Sequence, residues 1–238
     1  MKGRAALLAA GLLAAATAAS GAIQTVTIGD MYDGGTVNLA PGDTLEVRFG
    51  ASPPDCAWGT AFGDAAILKP MGDGAAPGSP VFRFKAVTTG SSSLGLACRK
   101  PSDPKAPPGG LFRVLVVVKD AVLPRGLLLE EPDNASDIFL TQGDALQVRL
   151  PSNPTTGYSW SIASNAPSVL QPLGDPKFEP ASKPMPGAGG TQTFGFRVVG
   201  GGPAFLELVY RRPFETDLPP ARRWGVFLCA ASVSSTAP

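Results

Sequence analysis

The chain of 238 residues predicts an all-β protein built as two tandem sandwich modules. Three observations carry that expectation. Apolar residues alternate with polar ones at a period of two, which puts one face of a strand in a core and the other in water. Glycine (29) and proline (25) are scattered between short apolar runs, as in chains of short strands joined by turns. One series of segments also occurs twice in the same order, the mark of a repeated module.

The first segment stands apart. Lys2 and Arg4 precede an apolar or glycine run over residues 5–16, and the small residues Ala16, Ala18, Ser20 and Ala22 follow. This is the form of a secretory signal, assigned to residues 1–20 with cleavage around 18–22. The run is shorter than the ~20 residues of a membrane span, and no later run is long enough. The expected destination is therefore secretion or a secretory-pathway compartment.

The repeat fixes the organisation. Leu39-Ala40-Pro41-Gly42-Asp43-Thr44-Leu45-Glu46-Val47-Arg48-Phe49 matches Leu140-Thr141-Gln142-Gly143-Asp144-Ala145-Leu146-Gln147-Val148-Arg149-Leu150. Ile67-Leu68-Lys69-Pro70 matches Val169-Leu170-Gln171-Pro172, and Phe82-Arg83-Phe84 matches Phe194-Gly195-Phe196. Arg99-Lys100-Pro101 then falls on Arg211-Arg212-Pro213, and Phe112-Arg113-Val114 on Trp224-Gly225-Val226. The modules are placed at 21–120 and 124–232, with the boundary near Pro124. Gly42-Asp43 and Gly143-Asp144 read as turns before alternating strands. Further strands are expected at 81–87, 94–98 and 112–119, then at 191–199, 204–210 and 223–230. This density of short strands predicts an immunoglobulin-like β-sandwich in each module.

Three loop signals in the second module point to function. The first is Asn153-Pro154-Thr155-Thr156-Gly157-Tyr158, where Pro154 fixes its own φ and biases Asn153 toward extended backbone. Thr155 and Thr156 are stiff at χ1, and Gly157 permits a path that other residues resist. The expected product is a narrow, neutral, preformed tip. The second signal is Gly187-Ala188-Gly189-Gly190, and the third is Arg212-Pro213-Phe214. Loops at one end of a sandwich gather side by side even when far apart in sequence.

These three loops, in this order, resemble those of the chagasin family, secreted inhibitors of papain-like cysteine peptidases. The resemblance covers roughly residues 124–230. It implies a reversible inhibitor of cathepsin L/B-like peptidases, with Thr155, Thr156 and Gly157 lying over the catalytic cysteine and histidine of the target. It also implies that the glycine loop lies along the cleft as an added strand would. Phe214 would stack on an aromatic wall, although the family places tryptophan there, so some contact area and the indole donor are lost.

The first module lacks these signals. Its first loop, Ser52-Pro53-Pro54-Asp55-Cys56-Ala57-Trp58, has no Thr-Thr-Gly tip, its second is shorter, and Ser102 replaces the aromatic of the third. Cys56 lies in that first loop and Cys98 aligns with Tyr210, so the two are expected to be neighbours joined by a disulfide. Cys229 reads as a buried, inert thiol, and Asn134-Ala135-Ser136 as a glycosylation acceptor pattern.

Composition narrows the alternatives. The chain has no histidine, which removes the commonest general base, and it has no Cys/His cluster for a metal. Neither a catalytic role nor a metal or cofactor is expected. Lys plus Arg (20) nearly balance Asp plus Glu (19), so no nucleic-acid partner is expected either. The rival reading is a secreted adhesion or carbohydrate-binding pair, since sandwiches host many partners.

Overall fold

In a computed structural model, residues 6–7, 22–50, 52, 55–72, 80–181, 187–215 and 217–235 are described. Apart from Ala6 and Leu7, the segment expected to be a signal lies outside them, as do Pro53, Pro54 and residues 73–79 of the first module's loops. The described chain is all-β, with three short 3-10 turns as its helical content. It divides into two compact units, one of residues 17–123 with 230–238, the other of residues 124–229 with 1–16.

The first of these units holds two sheets. One is formed by strands β2 (Gln24–Gly29), β4 (Thr44–Arg48), β7 (Val81–Ala86) and β6 (Leu68–Pro70), in that order. The other runs β3 (Thr36–Leu39), β9 (Gly110–Val118), β8 (Gly90–Arg99), β5 (Ala57–Phe62). Leu45, Val47, Phe82, Phe84, Leu96, Phe112, Val114 and Val116 are buried, the inward half of each alternation. The outer edge of β2 is taken by the end of the last strand, β18 (Arg222–Ser235), with Ser232 opposite Thr27 and Ser235 opposite Gln24. The last strand thus runs past position 232.

In the second unit one sheet runs β10 (Gly126–Leu129), β12 (Ala145–Ser152), β16 (Gly190–Val198), β14 (Leu170–Pro172), in that order, and β15 (Lys177–Pro180) also pairs with β16. The two residues of β1 (Ala6–Leu7) pair with Leu127 and Leu128. Its second sheet contains β13 (Ser159–Ser164), β17 (Gly202–Arg211), β18 and β11 (Asp137–Thr141). Leu146, Val148, Leu150, Phe196, Leu206, Leu208, Trp224 and Val226 fill its core.

The Gly-Asp turns do more than reverse the chain. Asp43 and Asp144 are buried, and each carboxylate accepts two backbone N–H groups. Asp43 accepts from Ala40 (2.8 Å) and Gln24 (2.9 Å), Asp144 from Thr141 (2.9 Å) and Arg125 (2.7 Å). Each side chain therefore closes its own turn and pins the start of the first strand beside it. Charge-assisted bonds of this type are stronger than neutral ones, which is how a carboxylate is retained in an apolar layer.

One expectation is corrected. Cys229 is half-buried rather than enclosed, because Val226, Leu228 and Ala230 on either side of it take the inward positions of β18. The apolar run Val226-Phe227-Leu228-Cys229-Ala230 hid that parity. Burial raises the thiol pKa and the nearby Asp137 raises it further, so the group is weakly nucleophilic at neutral pH.

Candidate functional site

Pro154–Thr156 form a single 3-10 turn between β12 and β13, and Gly157 ends it at φ +80°. Proline opens the turn because its φ is already set and its missing N–H is not needed there. Glycine closes it because a side chain in that left-handed region would be strained. Thr156 Oγ1 donates to Asn153 O (2.6 Å), and Thr155 Oγ1 donates to Asn153 Oδ1 (2.7 Å). Pro154, Thr155, Thr156 and Gly157 are all exposed, and none carries a charge.

Asn153 and Arg212 connect this tip to the other two loops. Asn153 Nδ2 donates to Gly187 O at 3.0 Å, joining the first loop to the second. Arg212 Nε donates to Thr156 O at 3.3 Å, joining the third to the first. The Arg212 guanidinium also lies 4.8 Å from the centre of the Tyr158 ring and pairs with Glu215 at 2.9 Å. The hydrogen bond and charge of Glu215 raise the Arg212 pKa, so the cation is fixed at any working pH. Glu215 is thus the partner of Arg212. Pro213 and Phe214 project beyond it; Phe214 is 76% exposed, and among the described residues no ring stacks on it.

The glycine loop has a packing reason for its composition. Gly187 is exposed at φ +78°. A Cβ on Gly189 would stand 2.8 Å from Ser152 O, and one on Gly190 would stand 2.1 Å from Glu179 O. Gly190 pairs with both Ser152 and Pro180, so β12 and β15 approach it from two sides. Ala188, half-buried, is the side chain this stretch accommodates.

Beneath the loops lies an aromatic floor, in which Gln192 is the residue that motif reading did not single out. Tyr210 OH accepts the Asn153 N–H at 2.8 Å, and its ring is 5.5 Å from that of Tyr158 and 5.1 Å from that of Trp160. The Gln192 amide accepts the Trp160 N–H and donates to Trp160 O, both at 2.9 Å. Trp160 Nε1 donates to Pro151 O at 2.9 Å, which fixes the indole. In the first unit Trp58 stands opposite Cys98 on β8, the same register as Trp160 opposite Tyr210. There Cys98 is bonded to Cys56, with Cα atoms 5.6 Å apart. A covalent tie occupies the position where the second unit uses a phenol.

Among the described residues there is no cluster of three His, Cys, Asp or Glu suited to a metal, and no helix long and apolar enough to cross a membrane. What the site offers is an internally hydrogen-bonded, uncharged tip flanked by glycine backbone on one side and an exposed phenyl ring on the other.

Comparison with known proteins matches this region. Residues 140–226 fit the family described as Chagasin family peptidase inhibitor I42. Chagasin of Trypanosoma cruzi is 30% identical over 100 residues, 41% of this chain and 91% of that protein. Among solved structures, the cysteine protease inhibitor EhICP2 from Entamoeba histolytica is similar at 22% identity, over 43% of this chain and 93% of its own, with a TM-score of 0.40. PbICP-C, solved in complex with falcipain-2, is similar at 13% identity, over 45% and 98%, with a TM-score of 0.30.

Proposed function

The chain belongs to the chagasin family of peptidase inhibitors, and on that premise we propose that it reversibly inhibits papain-like cysteine peptidases of the cathepsin L/B type through the three loops of its second unit. One observation carries the loop assignment: Asn153 and Arg212 tie all three loops into one preformed surface. A surface already ordered before binding loses little entropy in a cleft, and that favours affinity. Thr155, Thr156 and Gly157 enter over the catalytic pair. Their own hydrogen bonds hold the turn closed, so the cleft is filled without an extended scissile bond being offered. Gly187 and Ala188 lie along the cleft on one flank, and Phe214 covers an apolar wall on the other. Asn153, Tyr158, Gly189, Gly190, Arg212 and Pro213 hold this geometry.

The first unit is read as a second copy of the same module. The paired Gly-Asp ties and the shared Trp58/Trp160 register support a duplication. It carries no inhibitory role in this reading, and secretion follows from the basic-then-apolar segment at residues 2–16.

The test is titration of papain with the full chain, following hydrolysis of a small fluorogenic substrate. Competitive, reversible inhibition that Thr156→Arg abolishes supports the reading. Absence of inhibition at micromolar protein, or inhibition indifferent to Thr156→Arg, overturns it.

A further inference from the structure

The first unit carries a charged sheet face that the peptidase reading does not use. On β4, β7 and β6 the outward positions are Thr44, Glu46 and Arg48, then Val81, Arg83 and Lys85, then Lys69. Glu46 stands opposite Arg83, and Lys85 stands opposite both Thr44 and Lys69. Four cations thus share one face with a single carboxylate, on a chain whose net charge is +1.

Glu46 is only 4% exposed although it points away from the core. It accepts from Nε of Arg48 and, at 2.7 Å, from Nε of Arg83. Burial alone would raise its pKa, but the hydrogen bonds and charges of the two arginines outweigh that and hold the carboxyl below its ordinary value. One anion therefore orients two guanidinium groups while engaging only their Nε atoms. Lys69 and Lys85 have no carboxylate within ion-pair distance among the described residues.

Like charges directly opposite on neighbouring strands are destabilising. The Lys69–Lys85 pair therefore adds no attraction between β6 and β7. At the corresponding pairings of the second unit, Gln147 stands opposite Gly195 and Gln171 opposite Arg197, so no such pair occurs there.

From these observations we infer that this face binds an extended sulfated polysaccharide. The path from Arg48 through Arg83 and Lys85 to Lys69 covers roughly 20 Å at ordinary strand spacings. It crosses an open sheet surface, which suits a linear chain better than a compact anion. Planar guanidinium groups with free terminal nitrogens match the geometry of oxyanions, and the two lysines add point charge. A bilayer would call for apolar anchors among the cations. Within the three strands the other outward positions are Thr44 and Val81, both half-buried. Met71, just past β6, lies across this face with its sulfur 3.8 Å from Thr44 Oγ1, one large apolar side chain among four cations and short of the several anchors a bilayer would use.

The test uses the full chain and heparin, with affinity measured across a salt series. Binding should weaken with salt at a log–log slope near three, reflecting about three displaced counterions. Lys69→Gln/Lys85→Gln should lower that slope by about two and weaken low-salt affinity at least about tenfold. Arg149→Gln/Arg197→Gln in the second unit should leave both unchanged. Absent heparin binding at low salt, a slope unmoved by the lysine variant, or binding to phosphatidylserine vesicles in place of heparin would each overturn the inference. Papain inhibition is indifferent to all of these outcomes, so the two readings fail separately.

Discussion

Replacing Tyr210 by Phe tests whether the first loop is held ready before it meets a target. The substitution deletes one oxygen and keeps the ring that stacks near Tyr158 and Trp160. It leaves the Asn153 N–H, bonded at 2.8 Å in the native protein, without its acceptor. Stranding a half-buried donor costs about 1–2 kcal/mol. If the free loop relaxes to recover that loss in water, the cost is transferred to binding, where the loop must be ordered again. At 1.4 kcal/mol per factor of ten, the inhibition constant should rise roughly 5- to 30-fold. Most of this should appear in the dissociation rate. Two assays are needed together: the inhibition constant against papain, and hydrogen exchange at the Asn153 amide in the free protein. Faster exchange with an inhibition constant changed less than twofold would refute the argument from preorganisation.

Other perturbations address the fold around the site. Gly190→Ala puts a Cβ 2.1 Å from Glu179 O, so β15 must move away, and overpacking of this kind costs about 1–3 kcal/mol; thermal unfolding reads the loss. Replacing Cys56 and Cys98 by Ser removes a cross-link closing 42 residues of sequence separation, worth about 4 kcal/mol on the chain-entropy model. Chemical denaturation should show the first unit unfolding earlier, with inhibition retained at denaturant concentrations that leave the second unit folded. Glu46 should give the first unit an acid-sensitive component. Its folded pKa lies below the unfolded value near 4.5, so its contribution is complete above that value and is lost as pH falls through the folded pKa. The stability difference between the native protein and Glu46→Gln should therefore shrink as pH drops from 6 toward 3, and a pH-independent difference would contradict the linkage.

The alternation Leu45, Val47, Phe49 and its counterpart Leu146, Val148, Leu150 made the strands legible, because a period of two leaves few other folds for such a pattern. The order of the three loops was legible as well, since loop chemistry depends on short local motifs. What escaped the sequence was nearly all non-local. Nothing near Asp144 announces that its carboxylate reaches the Arg125 N–H, and nothing near Gln192 announces that it clamps Trp160. Gly190 reads as a flexible hairpin residue, yet its lack of a side chain reflects the crossing of Glu179. The outward parity of Cys229 was hidden because β18 is apolar on both faces at that point. Tyr210 could have been found, since its alignment with Cys98 marked a position where the first module needs a tie.

The central claim, that three loops of the second unit form the contact with a cysteine peptidase, is tested most directly by a hydrogen-exchange footprint of the full chain with and without papain. The account predicts protection confined to residues 153–158, 187–190 and 212–215, with the first unit unchanged. Protection centred on the first unit, or no protection at saturating papain, would contradict it.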